Sequence, residues 1–373
     1  MATKLKVLFD ANSLIGQKTG IGFYTEHIIK SLEENYGEEV MLTGYYFNFL
    51  GRGQKPPELS SVVYKPVRWF PRQLLSLARR CGFQIPLFMV VPSSLRFDVA
   101  FFPDFVALPL LKVRGVIVIH DLCFIDHPEY VAKRNVRFLQ RFVPRSIAAA
   151  DGVVAVSKFT EQRITQNFKK ILTAPVIVAP DSLDLQSKNL KPHDSSSPVL
   201  YVGTIEPRKN LENLLEAYSR LPAELQQKHP LWLAGHRGWK DEKIIAKFNE
   251  LKVRHVPVEY KGYVSAEEKA QFYAQSAAVV LVSHYEGFGM PILEAMAAGK
   301  PLLLSDIPVF SEVAGQAAAY CSSTDPDNIA RKLEEVLTTS ASTKMALYPS
   351  ILQKFTWQKS ADNILKLFQQ VVE

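Results

Sequence analysis

Short apolar runs alternate along the chain with longer segments in which apolar residues recur every three or four positions. The runs are rich in Val, Ile and Leu and are bounded by polar residues, which is typical of strands buried on both faces of a parallel sheet. The longer segments have the period of amphipathic helices. This alternation predicts an α/β fold with doubly wound parallel sheets.

The predicted strands form two series, separated by a polar segment at 182–198 that we interpret as a linker. The first series is 5–9, 40–47, 98–102, 116–120, 152–156 and 176–179. The second series is 199–203, 231–235, 258–261, 278–282, 302–304 and 317–320. Because 373 residues exceed what one hydrophobic core usually supports, we expect two Rossmann-like domains, at 1–193 and 194–356. Helices are predicted at 128–150 and, with an amphipathic pattern, at 357–373.

The alternation breaks down over 47–96, a region with Gly and Pro at both ends. Its middle part, 68–80, combines four arginines with aromatic residues and leucines. One interpretation of 68–80 is a basic amphipathic helix that contacts an anionic membrane surface. The alternative is that Leu74, Leu75 and Ala78, which have helical spacing, pack into the protein.

The formal net charge of +7 is concentrated in the first half of the chain. Residues 1–195 contain 25 Lys and Arg against 17 Asp and Glu, whereas 196–373 contain 19 against 20. A positive domain suits an anionic membrane surface, a phosphate-bearing substrate or nucleic acid. No nucleic-acid motif accompanies the charge, so we expect no nucleic acid partner. Ordinary surface lysines would give the same balance.

The three cysteines, Cys81, Cys123 and Cys321, form no C-x-x-C pair and no cluster with histidine. Their number and spacing favour a reducing compartment and argue against disulfides and structural zinc. No apolar stretch is long enough to span a membrane, and the run before Asp10 is too short for a signal peptide. We therefore expect a cytoplasmic protein, peripheral on the inner membrane face if 68–80 binds lipid.

The segment 278–301 carries the strongest chemical signal. After the apolar run 278–282, Gly287 and Gly289 give the backbone freedom to turn, and Pro291 suits the first turn of a helix. Such a turn presents backbone N–H groups and the positive end of a helix dipole at the carboxyl end of a strand. This arrangement favours binding of a phosphate.

Charged residues flank this turn and a second strand end. Glu286 precedes the glycines and Glu294 lies about one turn into the helix, and carboxylates accept hydrogen bonds from sugar hydroxyls. Arg208 and Lys209 follow the first strand of the second series and would neutralise a diphosphate. Asn210 is a candidate cap for the next helix. Together these groups suit a nucleotide sugar.

Three other strand ends carry weaker candidates. His120 ends an apolar run on the carboxyl side, where open α/β sheets bind ligands. Gly20 and Gly22 would bring the backbone close to a phosphate in the loop before a helix predicted from about Phe23, although Thr25 replaces the third glycine of G-x-G-x-x-G. At another strand end, the following helix has a serine as candidate N-cap, Ser157.

The segment after the strand 278–282 resembles the E-x7-E signature of the retaining GT-B glycosyltransferases of family 4. The matching residues are Glu286, Gly287, Phe288, Gly289, Met290, Pro291 and Glu294. The strings TGIGFYT, HDL, VSKFT and YVGTIEPRKN also resemble the bacterial surface-polysaccharide mannosyltransferases. The resemblance covers nearly the whole chain and is weakest over 47–96. It implies two Rossmann-like domains facing across a cleft, with the acceptor mainly on the first and the donor mainly on the second.

The resemblance also assigns roles to residues. His120 and Glu286 would contact the donor sugar and are the candidate catalytic residues. Glu294 would bind the ribose, and Gly20 would approach the β-phosphate. The implied donor-binding residues are Gly20, Gly22, Ser157, Arg208, Lys209, Tyr263, Val264, Gly287, Phe288, Gly289, Met290, Pro291 and Glu294.

The activity that the resemblance implies is retaining, metal-independent transfer of a hexose. The donor would be GDP-mannose, bound as a co-substrate without a cofactor, and the acceptor a glycan or lipid-linked acceptor in bacterial cell-surface polysaccharide synthesis. Arg208 and Lys209 would stabilise the leaving group, a role that a divalent cation fills in other enzymes. UDP-sugars stay open as donors, because Glu286 suits the hydroxyls of many hexoses. A nucleotide-sugar-binding protein without activity is the other alternative, although neither His120 nor Glu286 is lost.

Overall fold

The computed structural model describes residues 4–16, 19–80, 83–183 and 197–373. The chain divides into two compact units. The first unit is Met1–Ile125, Arg134–Asp181 and Thr356–Glu373, and the second is Asp126–Lys133 and Ser182–Phe355. The division therefore falls between Asp181 and Ser182, whereas residue 193 and most of the predicted linker lie outside the described residues.

The first unit contains a parallel sheet with the strand order β3-β2-β1-β4-β5-β6-β7, counted over the described residues. Its strands are β1 Leu5–Asp10, β2 Val40–Phe47, β3 Val63–Val67, β4 Val99–Phe102, β5 Arg114–Ile119, β6 Gly152–Ala155 and β7 Val176–Val178.

The second unit contains a parallel sheet with the order β10-β9-β8-β11-β12-β13, again within the described ranges. Its strands are β8 Val199–Val202, β9 Leu231–Ala234, β10 Val258–Gly262, β11 Ala278–Leu281, β12 Leu302–Ser305 and β13 Ala319–Cys321.

The α-helices connect these strands and close the chain. They are α1 Gly20–Tyr36, α2 Arg72–Arg80, α3 Leu87–Val90, α4 Cys123–Asp126, α5 Lys133–Ala149, α6 Lys158–Phe168, α7 Leu211–Ser219, α8 Ala223–Lys228, α9 Glu242–Val253, α10 Ala266–Gln275, α11 Met290–Ala297, α12 Pro308–Ala314, α13 Pro326–Thr338, α14 Ser342–Met345, α15 Tyr348–Leu352 and α16 Trp357–Val372.

The predicted fold class, two doubly wound Rossmann-like α/β domains, is confirmed by these two sheets. In each sheet the strand order reverses once, between β1 and β4 in the first and between β8 and β11 in the second. Open α/β sheets bind their ligands in the crevice beyond the carboxyl ends of the strands at such a reversal. The reversal in the second sheet is where the charged candidate residues lie.

The strand β3 lies inside the region where the sequence predicts no regular pattern. It pairs in parallel with β2, with Pro66 opposite Tyr46. Proline cannot donate a ladder hydrogen bond and therefore belongs on an edge strand, and β3 is the edge of its sheet. The sequence did not predict β3, because its alternating pattern is largely exposed and is interrupted by Pro66, one of several prolines in the region.

Two predicted helix boundaries are wrong. Helix α1 begins at Gly20 and not near Phe23, so Gly20 and Gly22 belong to its first turn and not to the preceding loop. A glycine inside a helix costs only about 1 kcal/mol, which the buried face of α1 outweighs. The long helix predicted over 128–150 is a 3-10 turn followed by α5, which starts at Lys133.

Helix α16 packs on α1 and on the strands β5, β6 and β7 of the first sheet. Phe368 is fully buried and meets the Phe101 ring edge-on, with ring centres 5.3 Å apart. A Cβ atom at Gly152 would lie 3.0 Å from the Leu367 side chain, so the glycine permits the close approach of helix and strand. The last helix of the chain thus completes the core of the first unit.

We predict that Phe368→Ala destabilises the protein by about 3–5 kcal/mol, because it leaves a cavity between α16 and β4. Lys366→Ala, an exposed change on the same helix, is the matched control and should leave the unfolding midpoint nearly unchanged. Urea unfolding followed by circular dichroism measures both. Equal midpoints for the two variants would show that α16 contributes little to this core.

Candidate functional site

The candidate site lies at the carboxyl ends of β8 and β11, which pair side by side where the strand order reverses. Two hydrogen bonds join the loops that follow these strands. The Asn210 side-chain amide donates to the Val282 carbonyl oxygen over 2.9 Å, and the His284 N–H donates to the Arg208 carbonyl oxygen over 2.9 Å. The two loops that carry the predicted charged residues are therefore held together.

Asn210 is not the helix cap that the sequence predicts. It precedes α7, but its backbone is left-handed (φ 60°, ψ 36°) and its side chain accepts no hydrogen bond from the helix. Its amide donates to the carbonyl oxygens of Val282 and Ser323, over 2.9 and 2.6 Å. Buried carbonyl groups at a strand end need donors, and asparagine tolerates the left-handed conformation.

Glu286 is the centre of a buried charge cluster. Its carboxylate is 8% exposed and accepts hydrogen bonds from Arg208 Nη1 at 2.8 Å and from Ser283 Oγ at 2.9 Å. Lys209 Nζ donates to the same carboxylate. The structure therefore brings together three residues that the sequence places in one site, and it does so through direct ion pairs.

The electrostatic balance keeps Glu286 ionised. Burial raises the pKa of its carboxyl group, but the charges of Arg208 and Lys209, with hydrogen bonds from Lys209 and Ser283, outweigh burial and lower the pKa below its ordinary value. A carboxylate in this state attracts cations and accepts hydrogen bonds throughout the physiological pH range.

A second carboxylate, Glu206, completes the cluster. It is 1% exposed and accepts from Arg208 Nε at 3.0 Å and Nη2 at 2.9 Å, so Arg208 bridges Glu206 and Glu286. The cluster contains two carboxylates and two cations, so its formal net charge is zero. The sequence analysis missed Glu206, although an acidic residue two positions before Arg208 at a buried strand end was the available signal.

The turn into α11 has the geometry that its glycines predict. Gly289 has φ 109°, which side-chain-bearing residues rarely adopt, and a Cβ atom there would lie 2.9 Å from Phe310 Cε1. Helix α11 starts at Met290, with Pro291 in its first turn. The chain therefore reaches the start of α11 four residues after Glu286, and phosphate binding at this turn stays a prediction.

Glu294, one turn into α11, has partners of its own. The Tyr273 hydroxyl donates to its carboxylate over 2.6 Å, and Lys269 Nζ forms an ion pair with it. Burial and the nearby Glu294 raise the pKa of Tyr273 well above its ordinary value, so the phenol keeps its proton and remains a donor. Tyr273 and Lys269 lie on α10 and were missed by the sequence analysis.

The other predicted residues of the second unit surround these charges less closely. Gly287 and Phe288 are buried, and the Phe288 ring meets Phe355 edge-on at 5.4 Å. Tyr263 is 61% exposed and Val264 is half-buried in the loop after β10. These residues shape the carboxyl edge of the sheet.

His120 follows β5 in the first unit. Its Nε2 lies 2.8 Å from the Pro103 carbonyl oxygen, which only accepts, so Nε2 carries the proton and Nδ1 is an acceptor. The Tyr24 ring meets the imidazole edge-on at 5.2 Å. Burial lowers the pKa of His120, and the Pro103 hydrogen bond and Asp121 oppose this only in part. The imidazole is therefore neutral at pH 7.

The remaining candidates of the first unit follow β6 and β1. Ser157 is the predicted N-cap: its Oγ accepts from the Thr160 N–H over 3.0 Å and is fully buried. Gly20 is exposed at the start of α1, and Gly22 is buried in the same turn. Like His120, they lie at the carboxyl side of the first sheet, and their implied roles in donor binding stay predictions.

Groups of metal-ligating side chains and helices able to span a membrane are both absent from the described residues. In that part of the chain, no three His, Cys, Asp or Glu side chains are grouped as metal ligands. The sequence Asp325-Pro326-Asp327 has an Asp-x-Asp pattern, but Asp325 caps α13 by accepting from two backbone N–H groups. No helix within the described ranges is both long and apolar enough to cross a membrane.

Comparison with known proteins agrees with this fold. Residues 184–348 match the family "Glycosyl transferases group 1". The chain is 27% identical over 384 aligned residues to O-antigen chain mannosyltransferase B of Escherichia coli, covering 98% of this chain and all of that protein. It is 33% identical over 167 residues to the serotype-specific mannosyltransferase WbdA of Escherichia coli, covering 45% of this chain and 20% of that protein.

Among solved structures, the lipopolysaccharide outer core galactosyltransferase WaaB has a similar fold. Its TM-score to this chain is 0.68, with 18% sequence identity, 98% of this chain covered and 99% of that chain. The two parallel sheets and this structural match show a fold similar to that of GT-B glycosyltransferases, and residues 184–348 match the group 1 glycosyltransferase family.

Proposed function

We propose that the chain transfers mannose from GDP-mannose, with retention of configuration, to a glycan or lipid-linked acceptor in cell-surface polysaccharide synthesis. The observation that carries the proposal is the Glu286 cluster, in which Arg208 and Lys209 lie at the carboxyl edge of the second sheet beside the start of α11. The names of the similar E. coli proteins support mannose as the sugar.

The cluster suits a diphosphate leaving group. When the bond between the sugar and the β-phosphate breaks, negative charge develops on the phosphate oxygen, and fixed cations stabilise that charge without a metal ion. Arg208 and Lys209 are already oriented by Glu206 and Glu286. As the diphosphate takes up part of their charge, Glu286 becomes available to accept hydrogen bonds from hydroxyls of the sugar.

Glu294 and His120 have complementary roles in the proposal. Glu294 binds the ribose hydroxyls, held in place by Tyr273 and Lys269. His120 is neutral and presents Nδ1 as an acceptor, so it contacts a hydroxyl of the donor sugar without adding a positive charge near the reacting carbon.

The donor is tested by a thermal-shift panel of GDP-, UDP- and ADP-linked sugars. Ligand binding to the folded state raises stability by about 2.7 kcal/mol at a hundredfold excess over Kd. We expect GDP-mannose to give the largest shift. Preferential stabilisation by a UDP-sugar would keep the glycosyltransferase and replace its donor, whereas no shift with any nucleotide sugar would contradict the proposed function.

We predict that Lys209→Ala weakens GDP binding by about 1.5–3 kcal/mol, because it removes one charge-assisted contact to the diphosphate. Binding of guanosine, which has no phosphate, should change little. Arg208→Ala should act in the same direction. It also leaves the buried Glu206 without its cation and so destabilises the fold.

Isothermal calorimetry with GDP and guanosine measures the Lys209 effect, and Lys228→Ala, an exposed lysine of the same unit, is the matched control. Equal losses for GDP and guanosine would show that Lys209 does not contact the diphosphate.

Substitutions at the two glutamates of the signature should have different effects on nucleotide binding and on sugar transfer. We predict that Glu294→Gln impairs binding of GDP, because the amide weakens the ribose contact. Glu286→Gln should spare GDP binding and reduce sugar transfer, because Lys209 loses a competing carboxylate while Arg208 keeps Glu206. Calorimetry with GDP alone measures the GDP affinity of both variants. A large loss of GDP affinity in Glu286→Gln would contradict the assignment of Glu286 to the sugar.

The exposed face of α2 supports a second proposal, peripheral contact with an anionic membrane. The helix predicted in this region exists, and among its described side chains Leu75 is the buried one, at 5% exposure. Ala78 is half-buried, and Leu74, Leu77 and Trp69 are 45%, 54% and 57% exposed. The inward-packing interpretation therefore holds for Leu75 and not for Leu74. An exposed apolar face next to arginines is the pattern of an interfacial helix.

Vesicle sedimentation over a salt series tests the membrane proposal. Each arginine near an anionic bilayer contributes about 1 kcal/mol, so a variant with Arg68, Arg72, Arg79 and Arg80 changed to Gln should bind anionic vesicles more weakly than wild type. The matched control changes the same number of exposed arginines on α5, namely Arg134, Arg137, Arg141 and Arg145. Equal losses in both variants would assign binding to net charge alone and contradict a docking role for α2.

A further inference from the structure

The segment Asp126–Lys133 lies between two stretches of the first unit in the sequence, but its contacts place it in the second unit. It packs against the loop between β11 and α11. The Tyr285 hydroxyl donates to Asp126 Oδ2 over 2.9 Å, and Tyr285 is only 5% exposed. This hydrogen bond joins the segment to the residue that directly precedes Glu286.

Three ring contacts reinforce this hydrogen bond. The His127 ring meets Tyr285 edge-on at 5.4 Å, and it stacks on Tyr130 at 5.6 Å. The Tyr130 ring stacks on His284 at 5.4 Å with an interplanar angle of 8°. The residues Asp126, His127, Tyr130, His284 and Tyr285 thus form one connected group, which we call the aromatic clamp.

The segment is also fixed through its backbone. Trp239 Nε1 donates to the Tyr130 carbonyl oxygen over 2.8 Å, and Lys240 Nζ donates to the Glu129 carbonyl oxygen over 2.8 Å. Both donors belong to the loop after β9. The segment Asp126–Lys133 is therefore held by two loops of the second unit, the loop after β9 and the loop between β11 and α11.

The aromatic clamp bears directly on the position of Glu286. His284 and Tyr285 immediately precede it, and Gly287 and Gly289 follow it, so the backbone on its far side has little intrinsic preference for one conformation. The His284 N–H is bonded to the Arg208 carbonyl oxygen over 2.9 Å. The aromatic clamp therefore fixes the loop on the N-terminal side of Glu286.

We propose that the aromatic clamp is a positioning device that holds Glu286 for recognition of the donor sugar, with Tyr285 and Asp126 as its principal positioning residues. The inference rests on the proposed function of Glu286 at the sugar. It assigns the aromatic clamp an effect on sugar recognition and none on the nucleotide, whose binding residues lie on the 208–209 turn and on α11.

The test compares the affinities for GDP-mannose and GDP, or for the sugar–nucleotide pair that the donor panel selects. Tyr285→Phe and Asp126→Ala should lower the preference for the sugar-bearing ligand by about fivefold to tenfold, the effect of one lost hydrogen bond, with GDP affinity unchanged within about twofold. Tyr320→Phe removes a phenol hydrogen bond to the Gly315 carbonyl oxygen elsewhere in the same unit. It is the matched control and should leave both affinities unchanged.

A second comparison asks whether the aromatic clamp acts through Glu286. In a Glu286→Gln background, Tyr285→Phe should have no further effect on the preference. Unchanged preference in Tyr285→Phe, a parallel loss of GDP affinity, or additive losses in the double variant would each overturn the inference. Failure of the wild type to bind any nucleotide sugar would instead contradict the proposed function, so the two failures are distinguishable.

Discussion

The burial of Glu286 is the constraint on which the rest of the site depends. A carboxylate at 8% exposure is stable only with opposite charges and hydrogen bonds around it. The cations come from the end of β8 and the carboxylate from the end of β11, and these strands are neighbours only because the order of the sheet reverses between them. The doubly wound topology is therefore what makes the neutral cluster of Glu206, Arg208, Lys209 and Glu286 possible.

A neutral cluster of this kind is suited to exchanging one anion for another. Arg208 keeps Glu206 as a fixed partner, whereas Lys209 and one side of Arg208 are held by Glu286. In the proposed mechanism, the diphosphate of the donor replaces part of the contact between Glu286 and the two cations. The Glu286 carboxylate then accepts hydrogen bonds from the sugar. In this proposal the same residues pair with one another without ligand and stabilise the leaving group when the donor is bound.

Local sequence signals predicted those parts of the molecule that local physics determines. Buried apolar runs and proline or glycine boundaries identified β2, the turn at Gly289 and the helix α16, because a β-branched run or a helix start depends on adjacent residues. Contacts from distant parts of the chain could not be predicted in this way. The edge strand β3 was not predicted because Pro66 interrupts its pattern. Asn210 donates to carbonyl groups of a neighbouring loop and not to its own helix. The contacts of Glu206, Tyr273 and Asp126 with the site form only in the tertiary fold.

The most direct test of the account is a crystal structure with GDP-mannose bound. The account predicts diphosphate oxygens within hydrogen-bond distance of Arg208 and Lys209, at the start of α11, with Glu294 on the ribose and Glu286 on a hydroxyl of the mannose. A nucleotide bound with its diphosphate away from the 208–209 turn, or with Glu286 still paired to Lys209 and remote from the sugar, would contradict it.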